Sequence, residues 1–152
     1  VASRQQENRE LGFRHYMNEH FPNVRIAELD VPVEGSPESN EKKLEQFFSA
    51  HPGIRNCITL GSKAHIVGEF LLKTNRRSVQ IMGYDMVEKN AQCLRKGSIS
   101  FFFFFHAYMQ GYHCVDSLFM AIVLLKKVDP TNYMPIELLS KENVDFYRRT
   151  QL

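Results

Sequence analysis

Asp85 closes the run Val79, Ile81, Met82 and the tripeptide Gly83-Tyr84-Asp85, the pattern of a buried strand and its exit turn. A carboxylate there offers several acceptor sites to neighbouring hydroxyls, and in parallel sheets ligands bind beyond the carboxyl ends of the strands. The same carboxylate could instead cap a helix beginning at Met86. Ser62, just after a strand expected over 54–60, is likewise placed to cap the next helix, and His65 reads as a solvated or core-edge residue. No Ser/His/Asp or Cys/His set declares itself, and there is no glycine-rich phosphate loop. Glu7/Glu10 and Glu41/Glu45 are helix-face charges. Cys57, Cys93 and Cys114 are scattered without metal spacing and read as buried thiols of a reducing compartment. These residues point to binding rather than catalysis, with no metal and no cofactor expected.

The elements that must position Asp85 follow from the spacing around it. Val87, Ala91 and Leu94 fall on one helix face, and Gly97 stands where a helix ends in a left-handed residue. Residues 99–105 are apolar apart from Ser100, which predicts a strand covered on both faces. Strand, helix and strand in so short a stretch make a βαβ unit of a parallel sheet. Upstream, the pattern predicts a helix over 4–20, a strand over 24–31 and a loop over 32–37. Ser36-Pro37 should open a helix carrying Leu44, Phe47 and Phe48 that stops at His51-Pro52-Gly53. A strand over 54–60 and a helix burying Ile66, Val67, Phe70 and Leu71 complete that half. Downstream come a helix over 108–127 with Val115, Phe119, Ile122 and Val123 inward, a strand over 133–139 and a short terminal helix over 141–149. The sum is an α/β fold with a doubly wound, mainly parallel sheet. Helix 4–20 has no strand before it.

A chain of 152 residues can bury a real core, and 43% apolar with 24% charged residues describes a globular protein. The formal charge of +2 has no basic run behind it, since Arg76-Arg77 and Lys126-Lys127 are only pairs. This argues against the segment gripping nucleic acid by itself. Residues 118–125 are far short of the roughly 20 needed to span a membrane. The opening Val1-Ala2-Ser3-Arg4 has neither an apolar leader nor an initiator Met, and reads as cut from something longer. The five phenylalanines of 101–105 would form an aggregation-prone β segment if exposed.

NRELGFRHYM from Asn8, HPGIRNCITLGSKAHIVGEFL from His51 and VQIMGYDMVEKNAQCLRKGSI from Val79 carry a likeness that QGYHCVDSLF from Gln110 and YMPIELLSKENVDFY from Tyr133 continue. Together, in order and in register, they resemble the effector-binding domain of LacI/GalR-type transcriptional regulators, relatives of the periplasmic sugar-binding proteins. The resemblance implies a periplasmic-binding-protein-like type I fold in which two lobes close on a small effector, usually a carbohydrate. It implies that residues 1–107 are the C-terminal lobe, that 108–130 pack on an N-terminal lobe absent from this chain, and that 131–152 hold the last strand and terminal helix. A cytoplasmic homodimer would follow, touching DNA only through a head outside this chain and no membrane. The alternative is an extracytoplasmic sugar-binding protein or receptor sensor.

The resemblance also assigns ligand contacts. Arg9 would reach into the cleft, where a guanidinium fork suits paired hydroxyls; otherwise it is a surface arginine. Asp85 would accept from sugar hydroxyls, and Ser62 matches a position that is often polar. Phe105 is a departure: relatives commonly hold glutamine there, whereas phenylalanine can only stack on a pyranose face or serve the core.

Overall fold

Ser36 accepts a hydrogen bond from the Ser39 amide at 3.2 Å and Pro37 takes the first helical position, so the chain enters α2 (Pro37–Ala50) as its sequence predicts. The computed structural model describes residues 4–32 and 35–149; residues 1–3, and 33–34 of the expected loop, lie outside the described residues. Before α2 stands α1 (Arg4–His20). After it come β1 (Asn56–Ile58), α3 (Ala64–Lys73), β2 (Gln80–Tyr84), α4 (Glu88–Arg95) and β3 (Phe101–Phe104). The chain ends with α5 (Ala107–Ile122), β4 (Glu137–Leu139) and α6 (Val144–Arg149).

The strands lie in the order β1-β2-β3-β4. Helices α3 and α4 return the chain between successive strands, so β1, β2 and β3 pair in parallel, while β4 comes back antiparallel on β3. This is the mainly parallel α/β sheet that the spacing predicts. Gly97 leaves α4 at a φ of 79°, the left-handed exit expected of it. Leu44, Phe48, Val67, Phe70, Leu71 and Leu94 are buried beneath the sheet together with Ile81 and Phe102. Helices α2, α3 and α4 therefore share one face of the sheet, and α6 joins them through Val144 and the Arg95–Asp145 ion pair. Helix α1 reaches the opposite face through Arg9, which lies on Tyr84.

Gly83 sets how closely α3 approaches β2. A Cβ on it would stand 2.8 Å from both the Ala64 Cβ and a Phe102 ring carbon. Gly83→Ala should therefore cost about 1–3 kcal/mol by overpacking, seen as a lower midpoint in urea unfolding. An unchanged midpoint would mean that the helix–sheet spacing can relax.

Several expectations need correction. Residues 24–31 form no strand: their alternation is real, but the stretch joins no ladder, Val24 and Ile26 are exposed, and Glu28 pairs instead with Arg14 at 2.6 Å. The last strand shortens from 133–139 to β4, because Pro135 has no N–H to give a ladder. The β3 phenylalanines are buried on one face only; Phe102 and Phe104 are in the core, whereas Phe101 and Phe103 are half-buried. Helix α5 stops at Ile122, leaving through Leu125 in a left-handed conformation, and has no buried residue. Its expected inward face is open, with Val115, Phe119, Ile122 and Val123 all exposed. Periodicity identifies an apolar face but not what covers it.

The cysteines also divide. Cys93 is buried and Cys57 half-buried, but Cys114 is exposed on α5. Burial pushes the Cys57 thiol up to about 11 and raises Cys93 as well. Iodoacetamide at neutral pH should then alkylate Cys114 in the folded chain and spare the other two, because the thiolate is the nucleophile. Peptide mass mapping that found Cys57 labelled first would contradict this environment.

Candidate functional site

The carboxyl ends of β1, β2 and β3 open side by side, because the three strands are parallel and adjacent. Leu60 and Ser62 follow β1, Asp85 follows β2, and Phe105 and His106 follow β3. Arg9 arrives from α1 on the far side of the sheet. Its Nη1 donates to the Leu60 carbonyl at 3.0 Å, and its guanidinium carbon lies 4.2 Å from the centre of the Tyr84 ring and 5.2 Å from that of Phe105. Of the four residues expected at the site, Arg9 and Phe105 are therefore brought together, and both lie against Tyr84, which was not among the four. Burial pushes the Tyr84 phenol above its ordinary value, and the Arg9 charge pulls it partly back.

Asp85 turns the chain at a φ of 65°, a left-handed conformation that aspartate tolerates better than most residues. Its backbone is fully held: the N–H donates to the Phe103 carbonyl at 3.3 Å, and its carbonyl accepts from the Val87 amide at 3.1 Å. Among the described residues its half-buried carboxylate has no hydrogen-bond or ion-pair partner. The capping role is not taken, for α4 starts after Val87 without a side-chain cap. Ser62 does not cap either; α3 starts after Lys63, again with no side-chain cap.

The reason lies in Asn90, which is fully buried and was not legible as a site residue. Its Nδ2 donates to the Ser62 carbonyl at 2.8 Å and to the Asp85 carbonyl at 2.9 Å, tying together the loops after β1 and β2. Its Oδ1 accepts from the His65 amide at 2.9 Å, so the open N-terminus of α3 is capped from the neighbouring helix. His65 Nδ1 lies 3.0 Å from the same Oδ1 and, facing an acceptor, must carry the proton. Ser62 thus enters the arrangement through its backbone. A polar residue on the apolar face of α4, beside Ala91 and Leu94, was the one available sequence signal.

At the end of β3, His106 bends into α5 at a φ of 51°. Its Nε2 stands 3.3 Å from Glu137 Oε2, but neither atom finds hydrogen-bond geometry. The strand-end residues of β3 and β4 meet here, and Gln110 closes the corner by donating to the Phe105 carbonyl. Among the described residues no three metal-binding side chains gather, and no helix is long and apolar enough to cross a membrane.

A mainly parallel lobe with polar and aromatic side chains at its strand ends is an architecture of small-ligand binding. Residues 1–126 match the periplasmic binding protein domain, and the chain belongs to that family. Among solved structures it is similar to a protein described as a LacI transcriptional regulator from Bacteroides fragilis, at 40% identity and a TM-score of 0.90, over 95% of this chain and 50% of that one. It shares its fold with a carbohydrate transporter solute-binding protein from Agrobacterium radiobacter in complex with D-arabinose, at 20% identity and a TM-score of 0.74, over 96% of this chain and 50% of that one. A sugar-binding protein of a sugar ABC transporter from Bacillus halodurans aligns at 19% identity and a TM-score of 0.75, over 93% of this chain and 52% of that one. The chain thus spans about half the length of these proteins. No curated protein matches the sequence.

Proposed function

We propose that this chain is the C-terminal part of the ligand-sensing domain of a LacI-type DNA-binding regulator, that its effector is a carbohydrate, and that it catalyses no reaction. The observation that carries this reading is the likeness to the Bacteroides fragilis protein, which holds over nearly the whole chain at 40% identity. The sugar-binding proteins of similar fold supply the ligand class. Residues 1–107 are the C-terminal lobe, 108–130 pack on the N-terminal lobe, and 131–152 hold the last strand and terminal helix. The bare apolar face of α5 supports that division, since an N-terminal lobe would cover it.

Arg9, Asp85 and Phe105 contact the effector in this reading, while Ser62 shapes the rim. Effector binding closes two lobes and shifts a cytoplasmic dimer between DNA-binding and released arrangements, which requires different affinity for the two states. The test is an electrophoretic mobility assay with the full-length protein and its own upstream DNA, read with and without a panel of mono- and disaccharides. A sugar-dependent shift supports the regulator. A mature protein trimmed behind an apolar signal, with no DNA binding, makes it an extracytoplasmic sugar-binding protein instead.

A further inference from the structure

Helix α5 has no buried residue, so its direction relative to the sheet is set by its two connections. The outgoing one is a single turn at His106, which leaves β3 at a φ of 51° and a ψ of 51°. A residue other than glycine held left-handed stores backbone strain, and such residues gather where a chain must turn or switch. The incoming connection runs through residues 123–136 and enters the sheet at Glu137, the first residue of β4. Antiparallel register sets Glu137 opposite Phe104, so both connections pass one corner of the sheet.

Their side chains meet there without bonding. His106 Nε2 stands 3.3 Å from Glu137 Oε2, and both atoms are buried with no hydrogen-bond partner among the described residues. Distance is satisfied and direction is not. Glu137 moves with the sheet, since β4 is laddered to β3 and Tyr147 hydrogen-bonds the Glu137 carboxylate from α6. The imidazole centre lies 4.6 Å from that of the Phe104 ring and 6.1 Å from that of Tyr147. Its backbone, however, moves with the helix, because the His106 carbonyl accepts from the Gln110 amide at 2.9 Å. A rotation of α5 therefore re-aims the imidazole while Glu137 stays in place. Two buried groups that lack only alignment favour the rotation that aligns them.

We propose that His106 and Glu137 are a hinge latch, unmade in this orientation of α5 and made in a second one, which biases the swing of the lobe that α5 carries. This rests on the reading above that α5 packs on an N-terminal lobe. Effector affinity then depends on a pair that need not touch the ligand, because whatever changes the populations of the two arrangements changes the apparent affinity.

The test reads the orientation of α5 in the effector-free full-length protein by double electron–electron resonance. Spin labels at Gln46→Cys on α2 and Asp116→Cys on α5, both exposed positions, report it, with the exposed Cys114 replaced by serine. His106→Asn tolerates the left-handed turn but is too short to reach Glu137, and Glu137→Ala removes the other partner. Each should raise the share of the present orientation over the second by at least about threefold. The double variant should do no more than either alone. A ratio unchanged in folded His106→Asn, or effects that add in the double variant, overturns the latch. Where Glu137→Ala does not fold by circular dichroism, His106→Asn alone decides. A p-benzoylphenylalanine in place of the exposed Phe119 tests the underlying reading separately. Cross-links to the full-length chain outside this segment, with an unchanged ratio, overturn the latch alone. Absence of such cross-links overturns the reading and the latch together.

Discussion

Asn90→Ala is expected to lower the stability of the chain by about 3 kcal/mol, because it strips partners from several buried backbone groups at once. The Ser62 carbonyl loses the Asn90 donor, the Asp85 carbonyl keeps only the Val87 amide, and the His65 amide loses its acceptor. A chain of this size should then melt about 10 °C lower, which differential scanning calorimetry would detect. Asn90→Asp is the informative companion. It keeps the acceptor for the His65 amide but replaces the donor with a second oxygen facing two carbonyls, so it should be nearly as damaging. A melting temperature for Asn90→Ala within a degree or two of the parent would mean that water takes over the bridge.

Asp85→Asn is expected to weaken effector binding by about 10- to 100-fold, the loss of hydrogen bonds to a charged acceptor. Asparagine tolerates the same left-handed turn, so the 65° φ at this position persists and the chain stays folded. The substitution therefore separates chemistry from backbone conformation. Calorimetry on the full-length protein with whichever sugar shifts its DNA binding gives the number. Equal affinity would remove Asp85 from the contact set and leave it only its part in the turn after β2.

Local chemistry was legible in the sequence wherever it decides the structure alone. Ser36-Pro37 opens α2 because the cap and the fixed proline φ act within one turn, and Gly97 ends α4 for an equally local reason. The parallel order of β1, β2 and β3 followed from two helices of crossover length between apolar runs. Residues 24–31 read as a strand because alternation is necessary for a strand but a ladder partner completes it. The carboxyl-end position of Asp85 was visible, yet its freedom from capping was not. Nor was the cap of α3 visible, since it comes from Asn90, 25 residues beyond His65 in sequence. Tyr84 escaped for a similar reason, since its importance comes from Arg9 and Phe105 on two other elements.

The placement of β3 also sets a timetable for synthesis. Its run of phenylalanines is sheltered on one side by β2 and on the other by a β4 of three residues, and β4 begins 33 positions after β3 ends. At roughly 5–20 residues per second, a ribosome needs roughly 2–7 s to supply that interval. Until then, one edge of a strand with a strong self-pairing sequence lies bare on the growing chain. The dangerous period in the life of this protein is therefore its birth rather than its working state. A ribosome that stalls between residues 104 and 137 would release a sheet with its most adhesive edge open.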